Sequence, residues 1–317
     1  MKAKLIRLGD GTLRAVSKAL PKRLMHHWSW VLLRDKHIAD AWGVSIRPIH
    51  YYEPLPDFQN LTQAMLETRR VSPGIDFAVP AQVSLLETLV AESRAELDGI
   101  VQEGAFDFAN TLFTGFDACA YYALIRHLRP KRVIEIGSGY STRIASLALA
   151  RNEAGGSPGE ITCIEPYPEA RLTQSDAHYR LIQKPVQEVA LATFEELSMN
   201  DILMIDSSHV AKTGSDVCYE FLAILPRLKP GVWVHVHDIF FPQDYPCEWV
   251  IDERKAYNEQ YILEAFLSGN KSFIPKLANH WLVLDHREVV DTLCPPAATG
   301  CVSRARLGNS FWMCRSH

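Results

Sequence analysis

Residues 132–142, RVIEIGSGYST, join an apolar, β-branched run to a glycine turn and then to helix-forming sequence. The run reads as a buried parallel strand. Gly137 and Gly139 allow a tight turn and close approach of a ligand to the backbone, and Ser141 or Thr142 can cap the helix that follows. Outward from this point, short β-rich runs recur at 161–165 (ITCIE), 179–183 (YRLIQ), 201–206 (DILMID) and 232–237 (VWVHVH), with helical stretches between them. Such alternation predicts an α/β, Rossmann-like, doubly wound and mostly parallel sheet with helices on both faces. Two later runs, 281–285 (WLVLD) and 310–315 (SFWMCR), have no clear helix between them and are expected to pair antiparallel at the sheet edge.

In a doubly wound sheet the ligand crevice opens at the carboxyl ends of the strands, beside the topological switch point. A dinucleotide enzyme usually carries a third glycine where Thr142 stands here, which counts against NAD. Glu165 ends the second strand and suits a carboxylate that accepts hydrogen bonds from ribose hydroxyls. Glu135, just before the first glycine, disfavours a phosphate-rich ligand and suits a cationic one. The expected ligand is therefore a positively charged nucleoside without phosphate.

At these residues the chain resembles the class I S-adenosylmethionine-dependent methyltransferases. The resemblance runs over about residues 105–315: EIGSGYST, then IEP, then LMIDSSH, then PGVWVHVHD, and a final SFW strand. It implies a seven-stranded sheet with a reversed last hairpin. It also implies that Glu135, Gly137, Ser138, Gly139, Tyr140, Ser141 and Thr142 surround the methionine moiety, with Glu165 on the ribose, Val186 near adenine and Asp206 beside the methyl group.

A second constellation lies at the ends of the fourth and fifth strands, where Asp206-Ser207-Ser208-His209 and His237-Asp238 should share one edge with the glycine turn. Methyl transfer to a hydroxyl is helped by a group that takes the proton, a task suited to histidine near neutral pH or assisted by a divalent cation. This part is similar to the macrocin-type sugar O-methyltransferases, which implies Asp206, His237 and Asp238 as metal ligands, His209 as general base, and Asp206 and His237 in the catalytic group. The segment DSSH lacks the family's second acid and glycine, and His237 stands where glutamate is expected. Imidazole suits a transition metal better than magnesium.

With 47% apolar residues, the chain can fill a sizeable core. A formal charge of −4 and the lack of a nucleic-acid motif disfavour a polynucleotide substrate, leaving a small molecule as the expected acceptor. Seven scattered cysteines without a C-x-x-C pair argue for free thiols in a reducing cytoplasm, with Cys294 and Cys301 the one pair placed to meet. No run is long and apolar enough for a membrane span, and Pro21, Lys22 and Arg23 break the signal-peptide pattern.

Residues 1–36, with nine Lys or Arg against two Asp, read as a surface helix with one basic face. The expected organisation is a helical accessory region over 1–104 and a catalytic domain over 105–317. Residues 240–246 (FFPQDYP) are expected to cover the acceptor, while Trp249, Tyr257 and Tyr261 have the spacing of one core-facing helix side. The rival readings are a nicotinamide-dependent oxidoreductase and a catalytically silent, cofactor-binding partner subunit. Oligomeric state is open, a homo-oligomer included.

Overall fold

Residues Arg132–Ile136 form strand β1, followed by β2 (Glu160–Ile164), β3 (Arg180–Ile182), β4 (Ile202–Ile205), β5 (Trp233–Val236), β6 (Phe273–Ala278) and β7 (Phe311–Arg315). They make one sheet of order β3-β2-β1-β4-β5-β7-β6. The first five strands run parallel, and β7 is antiparallel to both β5 and β6. The computed structural model describes residues 51–108, 110–113, 115–168, 179–300 and 307–316. The chain divides into two units, Met1–Leu61 and Thr62–His317. The basic helix read over 1–36, and Cys301 as a partner for Cys294, lie outside the described residues.

Helices α1 (Gln63–Glu67), α2 (Val79–Glu103), α3 (Gly115–Leu128), α4 (Tyr140–Ala154), α5 (Leu191–Glu195), α6 (Asp216–Tyr219), α7 (Glu259–Leu267), α8 (Asn279–Asp285), α9 (Arg287–Leu293) and α10 (Pro296–Thr299) accompany the sheet. Side chains alternate across β1: Val133 enters one core layer with α3, while Ile134 and Ile136 enter the other with Phe221 and Leu263. Helix α3 is buried from Gly115 to Ile125 because it packs against both α2 and α4, which explains its apolar character on every side.

The sheet's reversed last hairpin is present, but one of its strands differs from the sequence expectation. WLVLD belongs to α8, and the partner of β7 is Phe273–Ala278, FIPKLA. Pro275 disguises this strand in the sequence. At the sheet edge a proline costs no ladder bond, and the register shift between Pro275 and Leu277 absorbs its geometry.

Parallel register then aligns the three strand ends that matter. Ile136 is opposite Ile205, and Ile205 is opposite Val236. The ladder extends by one residue on each side, with Asp206 N donating to Ile136 O and His237 N donating to Ile205 O, both at 2.9 Å. Gly137, Asp206 and His237 thus leave the sheet side by side.

Candidate active site

Gly137 has φ of 82°, and a Cβ on it would lie 2.0 Å from the carbonyl oxygen of Asp206. Only glycine fits both the backbone and the space. The turn is held from behind: Thr142 Oγ1 donates to Glu135 Oε2 at 2.5 Å and accepts from Gly139 N at 3.2 Å, while Tyr121 donates to Glu135 Oε1 at 2.9 Å. Glu135 is fully buried. Burial lifts its carboxyl to about 7 despite the hydrogen bonds from Thr142 and Tyr121. Both oxygens of Glu135 are engaged by Thr142 and Tyr121, so the carboxyl braces the turn. The Thr142 hydroxyl is engaged within the turn.

At the ends of β4 and β5, one imidazole sits among three carboxylates. His209 Nε2 lies 3.4 Å from Asp206 Oδ1 and 3.4 Å from Asp238 Oδ2, and His209 Nδ1 lies 2.8 Å from Glu259 Oε2. Burial alone would lower His209, but Asp206, Glu259 and Asp238 outweigh it and hold the imidazole well above its usual value. For Asp206 burial also opposes the charge, yet His237 and His209 draw its carboxyl down to about 2. His237 Nε2 is 3.7 Å from Asp238 Oδ1, and Asp238 Oδ1 accepts from Asn309 Nδ2 at 3.5 Å. Both His209 and Asp238 have positive φ, 60° and 56°, an uncommon backbone state for residues with side chains.

The glycine turn and this cluster face one cavity of about 460 Å³. Ser138, Gly139, Tyr140 and Ser141 line one end, and Asp206, His209, His237 and Asp238 line another. Glu135, Gly137, Thr142, Glu165 and Val186 are outside its lining. Glu165 is half-buried at the end of β2 and accepts from Tyr167 N at 2.8 Å; Val186 is buried in a 3₁₀ turn after β3. The remaining wall departs from expectation. Residues 240–246 do not border this cavity; Phe240, Gln243 and Tyr245 border a second one. Trp249, Lys255 and Tyr257 form the wall instead, with Tyr257 stacked at a tilt 4.9 Å from the His209 ring and Lys255 Nζ 4.2 Å above Trp249. Tyr257 lies in the loop before α7, and Tyr261 is exposed, so the three aromatics do not share a helix side.

His235 is buried and its Nε2 meets Ser310 Oγ at 2.7 Å. Asp117 borders the same cavity and also ties down the start of β7: its oxygens accept from Asn309 N, Ser310 N and Asn279 Nδ2 at 2.7–2.9 Å.

A family described as a methyltransferase domain matches residues 134–239, the span from β1 through the end of β5. An uncharacterised protein of Archaeoglobus fulgidus is 32% identical over 188 residues, covering 55% of this chain and 83% of that protein. The chain belongs to the methyltransferase family. Among solved structures, the methyltransferase is similar to an O-methyltransferase from Bacillus cereus in complex with S-adenosylhomocysteine (12% identity, TM-score 0.40, 75% of this chain and 91% of that one). It is also similar to MycE of the mycinamycin pathway in complex with Mg, S-adenosylhomocysteine and mycinamycin VI (15% identity, TM-score 0.33, 62% and 49%).

The metal set implied by the resemblance does not assemble in this methyltransferase. Among the described residues no group of three His, Cys, Asp or Glu side chains has an arrangement that could hold a metal ion. Between Asp206 and Asp238, where an ion would have to sit, His209 Nε2 stands 3.4 Å from each. The residues do not fit a divalent ion, and no catalytic step is assigned to one.

Proposed function

We propose that this methyltransferase transfers the methyl group of S-adenosylmethionine to a hydroxyl or amino group of a small molecule, with His209 accepting the proton. The observation that carries this reading is the single cavity shared by the glycine turn and the His209 cluster. Its volume of about 460 Å³ is in the range of small-ligand sites.

When bound, S-adenosylmethionine supplies an electrophilic methyl on a sulfonium that leaves as a neutral thioether. The cradle fits such a group. Gly139 has open space where a side chain would project, and Ser138 Oγ is buried on the cavity wall without a hydrogen-bond partner. In this reading Ser138, Gly139, Tyr140 and Ser141 hold the methionine part, Glu165 the ribose, and Val186 packs near adenine. Trp249 and Tyr257 hold the acceptor and exclude water. An O–H acceptor forms its new bond to the methyl carbon as the bond from carbon to sulfur breaks, and its proton passes to His209 Nε2. The resulting imidazolium is stabilised by Asp206, Asp238 and Glu259, the same carboxylates that raise its pKa.

The test uses tritium-labelled S-adenosylmethionine and a panel of phenols, catechols, sugars and amines. With an accepted substrate, His209→Ala should reduce turnover by roughly a hundredfold or more while affinity for S-adenosylhomocysteine holds. Because the base works deprotonated and its pKa is raised, wild-type turnover should climb with pH through a midpoint above 6.5. Full turnover in His209→Ala removes the role.

A further inference from the structure

We propose that Glu259 is the positioning residue of His209, fixing which ring nitrogen faces the cavity. This rests on the reading of His209 as proton acceptor. Nothing in the sequence near the DSSH segment points to it, since Glu259 lies fifty residues later on another element.

The geometry fixes both halves of His209. Its Nδ1 lies 2.8 Å from Glu259 Oε2, so the Nδ1 proton is donated to that carboxylate and Nε2 is the nitrogen left toward Asp206, Asp238 and the cavity, its lone pair freed when the imidazolium gives up its second proton. Its backbone is gripped by the same helix end: the N–H groups of Asn258 and Glu259 donate to His209 O at 3.0 and 3.2 Å. Next to it, Ala211 N donates to Asn258 Oδ1 at 2.6 Å and Asn258 Nδ2 donates to Ala211 O at 3.3 Å. These bonds hold His209 at its positive φ.

Glu259 is buried to 0% exposure, and Oε1 has no hydrogen-bond partner. A carboxylate confined this way is costly unless its charge is used. Its place as the first residue of α7 lets the positive end of the helix dipole offset part of that cost. The remaining compensation is the imidazole. Facing the pair are Asp206 and Asp238 from the strand ends and the buried Glu220, which follows α6. Asp206 and Asp238 approach His209 on its Nε2 side, and Glu220 accepts from Ser207 Oγ, which leaves the orientation of the ring to Glu259.

The experiment compares wild type, Glu259→Gln and Glu259→Leu, each labelled with ¹⁵N-histidine and saturated with S-adenosylhomocysteine, using His209→Ala to assign the His209 signals. In wild type, His209 should carry a slowly exchanging, downfield Nδ1 proton. Glu259→Gln, whose amide oxygen can still accept, should keep the Nδ1 proton but move it upfield. Glu259→Leu should lose it and mix the two ring tautomers. Circular dichroism and S-adenosylhomocysteine affinity establish that each variant is folded. With an acceptor from the panel, Glu259→Gln should lower kcat roughly 10- to 100-fold with little change in KM. An unchanged His209 tautomer in folded Glu259→Leu, or no Nδ1 proton in wild type, overturns the proposal. A tautomer change alongside full turnover in His209→Ala would instead overturn the base reading on which it stands.

Discussion

A Cβ placed on Gly137 would meet the carbonyl oxygen of Asp206 at 2.0 Å, so the end of β1 and the end of β4 lie too close for any side chain between them. The obstruction is backbone, which cannot swing aside as a side chain would. Gly137→Ala should therefore either unfold the turn or cost roughly 2–4 kcal/mol, through the clash and the strained φ together. Gly139 makes the contrast: its φ is 170° and a Cβ added there would find nothing within 4 Å. Gly139→Ala should melt like wild type but bind S-adenosylhomocysteine more weakly. Thermal unfolding and calorimetry on the two variants separate these outcomes; equal melting temperatures for both would refute the account of the turn.

Thr142 replaces the third glycine of a dinucleotide turn and uses its hydroxyl twice, toward Glu135 and Gly139. Thr142→Val keeps the shape and removes both bonds. Because Glu135 is buried, the expected loss is about 1–3 kcal/mol, read from urea unfolding. A loss below about 0.5 kcal/mol, the range of ordinary surface changes, would mean that the hydroxyl does not hold the turn.

Glu135 also sets a pH dependence. Its folded value of about 7 lies above the ordinary 4.5, so the folded state binds the proton more tightly than the unfolded chain. The contribution is fully present below about 4.5 and is lost as pH rises toward 7, by at most about 3 kcal/mol. Glu135→Gln should flatten the stability profile over that window relative to wild type and gain on it at pH 8. Asp117 and Glu259 are raised in the same direction, so the difference between the two proteins, not the wild-type slope, is the informative quantity. Parallel profiles would show that Glu135 ionises normally.

With His209 between Asp206 and Asp238, divalent ions should find no seat. Magnesium, manganese or zinc titrated into chelator-treated protein should give no saturable shift in melting temperature. A saturable shift that disappears in Asp206→Asn would restore the metal set drawn from the resemblance.

Much of this arrangement was legible in sequence because it is local. β1, its glycine turn and the parallel runs after it carry their own apolar pattern, and a parallel sheet then obliges Gly137, Asp206 and His237 to emerge together. What escaped depends on tertiary context. WLVLD and FIPKLA are both short apolar runs; only the edge position of β6 makes Pro275 acceptable, and only packing of Leu282 and Val283 makes the other a helix. The bracing of the turn by Glu135 could not be foreseen because Tyr121 approaches it from α3. Likewise Glu259, Trp249 and Tyr257 reach the site from segments with no signature of one.

The most direct measurement is a calorimetric titration of the wild-type protein with S-adenosylhomocysteine and, separately, with NADH, repeated on Gly139→Leu. One saturable site for S-adenosylhomocysteine, none for NADH, and loss of the first in the folded variant are the predicted results. No binding of S-adenosylhomocysteine to wild type, or binding untouched by a leucine in the turn, would contradict the assignment of this cavity to the methyl donor.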